Sequence, residues 1–393
     1  MNKAILNNKV QSFLSEHLTA NVTSILLSKP LFGEVTNAEL VDQIEAKKRT
    51  EKKLPLWFDT KGIYYPNKLN IEQTSSERTA LYKASLVSGN SLIDITGGYG
   101  VDAYYFSRNI TEVVHCEINE YLSDIVDYNR DLLNANNITC VKGDGVAYLE
   151  NTITFFDWIY IDPSRRNDKK GKVFMLSDCL PDVPKHLELL FSKTNKILVK
   201  TSPVLDISKG LEELTNVLEI HIVAVNNEVK ELLWILEKDF TGVPQLVTVN
   251  LTHTKREEFT FSLMAEQGAV STFAEPQKYL YEPNAAILKS GAFKLMASHF
   301  KVNKLHMHSH LYTSNDLIDF PGRSFRIEEV IRFQKKVIKQ RFQNTKANIT
   351  ARNFPDKPDV FKKQFKMKDG GEVYLFLTTD MNNKKIVIVA SKV

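Results

Sequence analysis

Cysteine is scarce: Cys116, Cys140 and Cys179 are the only three in 393 residues, and no two form a CxxC pair. That scarcity excludes a disulfide framework and a structural zinc site, predicts no resident metal, and points to a reducing, cytoplasmic compartment. Long apolar runs are missing too. None approaches the ~20 residues that cross a bilayer, so no membrane association is expected. Met1-Asn2-Lys3-Ala4-Ile5 lacks the apolar stretch and small-residue cleavage site of a secretory leader. Internal repeats and low-complexity tracts are also missing. What is present is an ordinary globular balance, 43 % hydrophobic and 25 % charged, which excludes a disordered tail protein and a collagen-like chain. At ~150 residues per domain the length predicts two or three domains.

The net charge of +4 averages two unlike parts. Residues 276–393 hold 22 Lys and Arg against 10 Asp and Glu, a balance of +12, whereas residues 1–275 hold 29 against 37, a balance of −8. This asymmetry predicts a basic module for a polyanionic partner joined to an acidic body.

Residues 1–70 read as an N-terminal helical region. Thr36 and Glu39 have capping-box spacing ahead of Leu40 and Ile44, and the charged run Glu45 to Lys53 extends that helix as a solvated face. Over residues 71–275, short runs rich in Ile and Val alternate with helical stretches. They are Ser91–Thr96, Glu112–Glu117, Ile138–Val141, Phe156–Ile161, Lys196–Lys200, Glu219–Val225, Glu231–Leu236 and Leu246–Leu251. The first five leave room for helical crossovers and predict an α/β fold whose parallel sheet is covered on both faces. The last three follow too closely for crossovers and are expected as antiparallel neighbours. Beyond residue 275 the pattern is mixed α+β. A helix is predicted over Ser324–Phe342, with Ile327, Val330, Ile331, Val337, Ile338 and Phe342 on one side and Arg332, Lys335, Lys336 and Lys339 on another. Val373–Leu377 and Lys385–Val389 read as two strands.

The most informative segment is Leu92-Ile93-Asp94-Ile95-Thr96-Gly97-Gly98-Tyr99-Gly100-Val101-Asp102. An apolar strand runs into a glycine-rich turn, and a helical pattern opens behind it. Such a corner lets the backbone approach a ligand closely. Its spacing is not the G-x-G-x-x-G of dinucleotide-binding proteins. Glu117 closes the second strand, 17 residues after Gly100, where an acid can take both hydroxyls of a ribose. Asp144 follows the third strand and can accept from an adenine amine. Asp162-Pro163-Ser164-Arg165-Arg166 follows the fourth. All three polar groups are expected at the carboxyl ends of consecutive parallel strands, where open α/β sheets bind ligands.

Together these residues resemble a class I S-adenosylmethionine (SAM)-dependent methyltransferase, which implies a Rossmann-like sheet, parallel with antiparallel final strands. Asp94 through Gly100 match the family's first motif, and Thr96 with Asp102 completes a D-x-T-x-G-x-G-x-D pattern similar to some ribosomal RNA guanine-N2 methyltransferases. By this resemblance Asp94, Thr96, Gly97, Gly98, Gly100, Asp102, Glu117 and Asp144 are implied as SAM-binding residues. The three glycines would line the methionine part, Glu117 the ribose and Asp144 the adenine end. A narrower match covers nearly the whole chain. Glu72-Gln73-x-Ser75-Ser76, the Asp-Pro-x-Arg-Arg loop and the basic C-terminus resemble bacterial methyltransferases with a THUMP-like C-terminal domain. In that group Tyr279-Leu280-Tyr281-Glu282-Pro283-Asn284 opens a small ferredoxin-like segment, here 276–320, and Phe320-Pro321-Gly322-Arg323-Ser324-Phe325 and Arg352-Asn353-Phe354-Pro355 belong to the THUMP-like part, here 321–393. Residues 71–275 would be the methyltransferase domain. THUMP domains are associated with RNA modification, so the resemblance implies an rRNA or tRNA substrate.

Asp162, Pro163, Ser164 and Arg165 stand where amine methyltransferases carry a D/N-P-P-Y/F motif and are the expected catalytic residues. In that motif an acid or amide orients the target nitrogen and an aromatic ring stacks on the base, so rate comes from positioning. Here Ser164 replaces the second proline and Arg165 the aromatic; a guanidinium can stack on a base or clamp a phosphate. The acceptor atom is therefore left open. Carbon methylation of a pyrimidine would need a cysteine nucleophile, and only Cys179 is placed near the site; an incidental role for it is expected. Arg166 and Lys200 are expected on the substrate side. His306, His308 and His310 alternate as strand-surface residues would. In the basic module, Arg323, Arg332, Lys335, Lys336, Lys339, Arg352, Lys362 and Lys363 are candidate RNA contacts, with Phe354, Phe361 and Phe365 interleaved as candidate stacking rings. Two other readings stay open: a catalytically silent SAM- or RNA-binding protein, and a methyltransferase for a protein or small molecule.

Overall fold

The computed structural model describes residues 1–165 and 175–393, with Arg165 described by its backbone alone. The chain forms two compact units, Met1–Leu218 with Leu232–Thr241, and Glu219–Glu231 with Gly242–Val393.

The first unit opens with short helices. The helix Asn37–Lys53 starts on the expected capping box: the Thr36 hydroxyl accepts from the Glu39 N–H (3.2 Å), and Glu39 accepts from the Thr36 N–H (2.8 Å). Pro55 begins the helix Pro55–Asp59, where its missing N–H costs no bond, and Trp57 is buried with its ring 5.0 Å from that of Tyr104.

The strands of this unit are β1 (Gly89–Asp94), β2 (Ile110–Glu117), β3 (Ile138–Lys142), β4 (Trp158–Ile161), the short ladder β5 (Ser164–Arg165) with β6 (Cys179–Leu180), and β7 (Lys196–Thr201). They are followed by β8 (Val217–Val225) and β9 (Glu228–Glu237). In the order β3-β2-β1-β4-β7 every pair is parallel, and β9 lies antiparallel on β7. The order reverses outward from β1, so the carboxyl ends of β1, β2, β4 and β7 share one edge. Ile93, Ile159, Ile161, Leu198 and Val199 are fully buried, as expected for strands covered on both faces.

In the second unit β8 is joined by β10 (Gln245–Leu251) and β11 (Arg256–Ser262). The last three predicted strands were expected to be antiparallel neighbours. β9 meets that expectation against β7, but β10 runs parallel to β8. The chain reverses after β8 and again after β9, and two reversals restore direction. The antiparallel partner of β10 is β11, whose Phe259 and Phe261 are buried at alternate positions.

The second sheet of this unit comprises β12 (Tyr279–Pro283), β13 (Asn303–Lys304), β14 (Tyr312–Ser314), β15 (Gly322–Arg332), β16 (Asn348–Ala351), β17 (Tyr374–Thr379) and β18 (Lys385–Lys392), in the order β13-β14-β12-β15-β18-β17-β16. It corrects the helix expected over Ser324–Phe342. Residues 322–332 are strand β15, and only Lys335–Phe342 is helical. The register of β15 on β18 shifts between Ile327 and Glu329. The inserted residue exchanges the faces of the sheet, so Phe325 and Ile327 pack with Ile386 and Ile388 on one side, while Ile331 packs with Val387 and Leu375 on the other. A bulged strand feeding two cores mimics helical spacing. Arg332 therefore lies on a strand, apart from the helical Lys335, Lys336 and Lys339. His306, His308 and His310 sit in a turn before β14 rather than on a strand, and no cluster of metal-ligating residues occurs among the described residues.

Candidate active site at the carboxyl ends of the parallel strands

β1 ends at Asp94, and the chain turns through Thr96–Gly100 into the helix Val101–Phe106. Gly97 is required by packing: a Cβ there would lie 2.2 Å from Nε2 of the buried His115. Gly98 has φ +57° and would direct a Cβ into open space, 3.9 Å from its nearest neighbour, so it leaves a clear approach to the turn. Its N–H donates to Glu117 Oε2 (2.7 Å), and the Asn119 N–H donates to Oε1 (2.8 Å). Each carboxylate oxygen has two lone pairs, so Glu117 braces the turn and still has acceptor capacity at the end of β2. Gly100 caps the following helix at φ +73°.

Asp94 Oδ1 accepts from the Thr96 N–H (2.9 Å) and hydroxyl (3.2 Å). Burial holds the Asp94 carboxyl well above its usual range, opposed by the Thr96 N–H and reinforced by the Asp102 and Asp162 carboxylates. The Thr96 hydroxyl in turn accepts from the Asp162 N–H (2.7 Å), tying the turn to the end of β4. Asp144 caps the helix Gly145–Asn151, its Oδ1 accepting from Val146 (2.7 Å) and Ala147 (3.3 Å).

Asp162 Oδ2 is ion-paired with Lys200 Nζ at the end of β7. Among the described residues no group donates to Oδ1. Lys200, expected to line the substrate side, thus orients the Asp162 carboxylate. Ser164 is exposed in the β5 ladder opposite Leu180, and Arg165 pairs with Cys179. The Arg165 side chain and all of Arg166 lie outside the described residues. Cys179 is fully buried, and burial pushes the Cys116 and Cys140 thiols up to about 12, so none of the three is a ready nucleophile.

Asp102 lies inside the fold. It accepts from Ser75 and Tyr160 hydroxyls (both 2.8 Å) and pairs with Lys83 Nζ at 3.2 Å. Burial pushes its carboxyl up, but Lys83 and Lys200, with the two hydroxyl donors, hold it below the usual value. Sequence reasoning missed Lys83. The available signal was a lysine on the face of the helix Glu77–Ala84 that also carries the buried Thr79, Ala80 and Ala84.

The basic candidates of the second unit divide. Glu282, almost fully buried, takes Arg323 Nε at 2.8 Å and Arg352 Nη2 at 2.8 Å. Lys362 pairs with Asp359 (2.7 Å) and Asp369 (2.9 Å). Arg332, Lys335, Lys336, Lys339 and Lys363 are exposed, and none forms an ion pair among the described residues. Phe361 and Phe365 are buried in one core cluster of the second sheet with Phe354 against them, so these rings build the core instead of offering faces to bases.

A ferredoxin-like domain family matches residues 279–321, and a THUMP domain-like family matches residues 322–392. The crystal structure of a "putative methyltransferase from Porphyromonas gingivalis W83" is 33 % identical, covers 99 % of this chain and 98 % of that one, and superposes with a TM-score of 0.90. An O-methyltransferase from Bacillus cereus in complex with SAH shows 14 % identity over 55 % of this chain and 95 % of that one, with a TM-score of 0.35. A "putative methyltransferase" from Escherichia coli shows 17 % identity over 42 % of this chain and 86 % of that one, with a TM-score of 0.31. None of the curated proteins matches. With a relative of one-third identity matched along almost its whole length, and with the glycine turn and acidic strand ends in the expected places, the chain belongs to the class I methyltransferases that carry a C-terminal THUMP-like domain.

Proposed function

We propose that this protein uses SAM to methylate a base in structured RNA, rRNA or tRNA. Residues 71–275 would carry the chemistry, and 276–320 with 321–393 would hold the RNA; the ferredoxin-like and THUMP-like matches support that division. The residues at the strand ends suit the cofactor. Gly98 leaves open space, Glu117 has acceptor capacity for ribose hydroxyls, and Asp144 keeps Oδ2 for the adenine end while Oδ1 caps a helix. Asp94 and Thr96 stiffen the same turn, and Gly97 and Gly100 shape it. When bound, SAM supplies an electrophilic methyl on a sulfonium.

The observation that carries the reading is the Asp162–Lys200 pair at the ends of β4 and β7. Lys200 fixes one carboxylate oxygen, so the other can accept an N–H of the target and hold its lone pair in one direction. The adjoining Thr96 bond locks that carboxylate's backbone to the cofactor turn. Pro163 and Ser164 would form the wall beside it. For RNA, Arg332, Lys335, Lys336, Lys339 and Lys363, all exposed, supply phosphate affinity, whereas base choice would lie in the acceptor pocket.

The test is transfer of an isotope-labelled methyl from SAM to total RNA of cells lacking the protein, with the wild-type chain and Asp162→Ala side by side. Label in RNA that the variant fails to add is expected. SAM binding by the wild type without any label in RNA would remove the RNA reading.

A further inference from the structure

We propose that Lys83 is a positioning residue, whose buried ammonium keeps Asp102 ionised as a tie between the cofactor turn and the acceptor strand, so that cofactor affinity depends on the pair. This rests on the SAM reading above.

Lys83 is completely buried, and an ammonium survives there only if paired and hydrogen-bonded. Its Nζ lies 3.2 Å from Asp102 Oδ1 and donates to Ser75 Oγ at 3.1 Å. Ser75 passes the interaction on, its hydroxyl donating to Asp102 Oδ2 at 2.8 Å. Tyr160 closes the network from β4 by donating to the same oxygen at 2.8 Å. Three elements therefore meet on one carboxylate: the helix bearing Lys83, the helix that follows Gly100, and the strand that ends beside Asp162.

The location decides what this network is for. The turn Gly97–Gly100 is held at two points by acids. On one flank Glu117 takes the Gly98 N–H; on the other, Asp102 anchors the first turn of the outgoing helix. Remove the lysine, and a buried carboxylate is left without its counter-charge, so Asp102 swings toward water and that flank comes loose. Asp102 also feels the Lys200 ammonium, which links the anchor electrostatically to the pair at the acceptor position. Lys83 itself is far from being a ligand, since no part of it reaches the surface.

The experiment uses the full chain as Lys83→Met, Asp102→Asn, the double variant and wild type. The dissociation constant for SAM is measured by calorimetry, at a temperature where each variant is folded by circular dichroism, beside the ligand-free melting temperature. Lys83→Met should weaken SAM binding at least tenfold. The double variant should bind SAM more tightly than Lys83→Met, because the amide oxygen introduced by Asp102→Asn still accepts from Ser75 and Tyr160 and no buried charge is left alone. A Lys83→Met chain that melts lower but binds SAM like wild type overturns the proposal, because that pattern is structural support only. If Lys83→Met does not fold, the double variant decides against Asp102→Asn: equal weakness in the two shows that Asp102 is itself a cofactor ligand and overturns the tie. A wild-type chain that does not bind SAM overturns the cofactor reading and this proposal with it, an outcome distinct from either of the others.

Discussion

The two units use the same charged residue types in opposite ways. In the first, Lys83 is locked onto Asp102 in the helix after the glycine turn, and Lys200 onto Asp162 at the end of β4. In the second, Glu282 locks Arg323 and Arg352, while Arg332, Lys335, Lys336, Lys339 and Lys363 project from the surface without acidic partners among the described residues. A balance of −8 before residue 276 and +12 after it is silent about this difference. Burial decides it. A buried pair fixes geometry, and removing either partner strands a charge; an exposed cation acts through a screened field and is individually replaceable.

The contrast between locked and exposed charge should show most strongly at the Asp162–Lys200 pair. Asp162→Ala should lower methyl transfer by roughly 10²–10³-fold, the scale of losing one oriented polar contact to the reacting group. SAM affinity should stay within about threefold, because Glu117 and the glycine turn are untouched. Lys200→Met should give a smaller loss, since Asp162 would remain but turn freely. Single-turnover rates with saturating SAM measure both, and equal, mild losses would show that the pair is only structural.

Next in size is the exposed group. Reversing Lys335, Lys336 and Lys339 to Glu should weaken RNA binding at least tenfold near physiological salt, and should reduce the slope of log affinity against log salt by roughly 2–3, at just under one unit per lost phosphate contact. The melting temperature should not move. The locked arginines should behave inversely. Arg352→Gln leaves the Glu282 carboxylate short of one partner in a buried place, so it should cost about 1–3 kcal/mol of stability while changing RNA affinity little. Filter binding and urea denaturation on the two variants separate the effects, and a loss of RNA affinity in Arg352→Gln without loss of stability would reverse the assignment.

The sequence made the glycine-turn side of the fold legible because its signals are local. A strand, a glycine turn and an acid at the end of the next strand all lie within about one βαβ unit, and the structure has them as read. Long-range pairing was not legible. Asp162 and Lys200 are 38 residues apart, and nothing short of the β4–β7 register brings them together. Asp102 was readable as a conspicuous acid, but its partner Lys83 lies upstream on another helix, so its burial was invisible. In the basic module the failure was one of period. The inserted residue near Ile327 shifts apolar side chains between two faces of a sheet, and the resulting spacing matches a helix better than a strand. Phe361 and Phe365 sit among lysines in sequence, yet their helix turns them into the core while Lys363 stays outside.

The smallest effect lies at two imidazoles, the fully buried His115 in the first unit and the half-buried His310 in the second. Burial lowers both below the ordinary histidine value, and His310, stacked on Phe293 at 3.5 Å, is brought to about 4. The Lys304, His308 and Arg352 charges that face His310 push it the same way. A histidine held neutral in the folded state keeps its full contribution above the unfolded value of about 6.5, and loses it as pH falls toward the folded one. The window for His310 is therefore pH 6.5 down to about 4. His310→Phe keeps the stacked ring and removes the titration. Its stability relative to wild type should be nearly constant from pH 8 to 7 and should rise steadily from pH 6.5 to 4.5 in urea denaturation. His115→Phe tests the other unit and should behave differently, because the ring lies under Gly97 with no room for a larger group and the substitution should cost stability at every pH. Parallel profiles for wild type and His310→Phe would mean that the imidazole takes up its proton in the fold at the same pH as in the unfolded chain, which its stacking on Phe293 and the nearby Lys304 ammonium oppose.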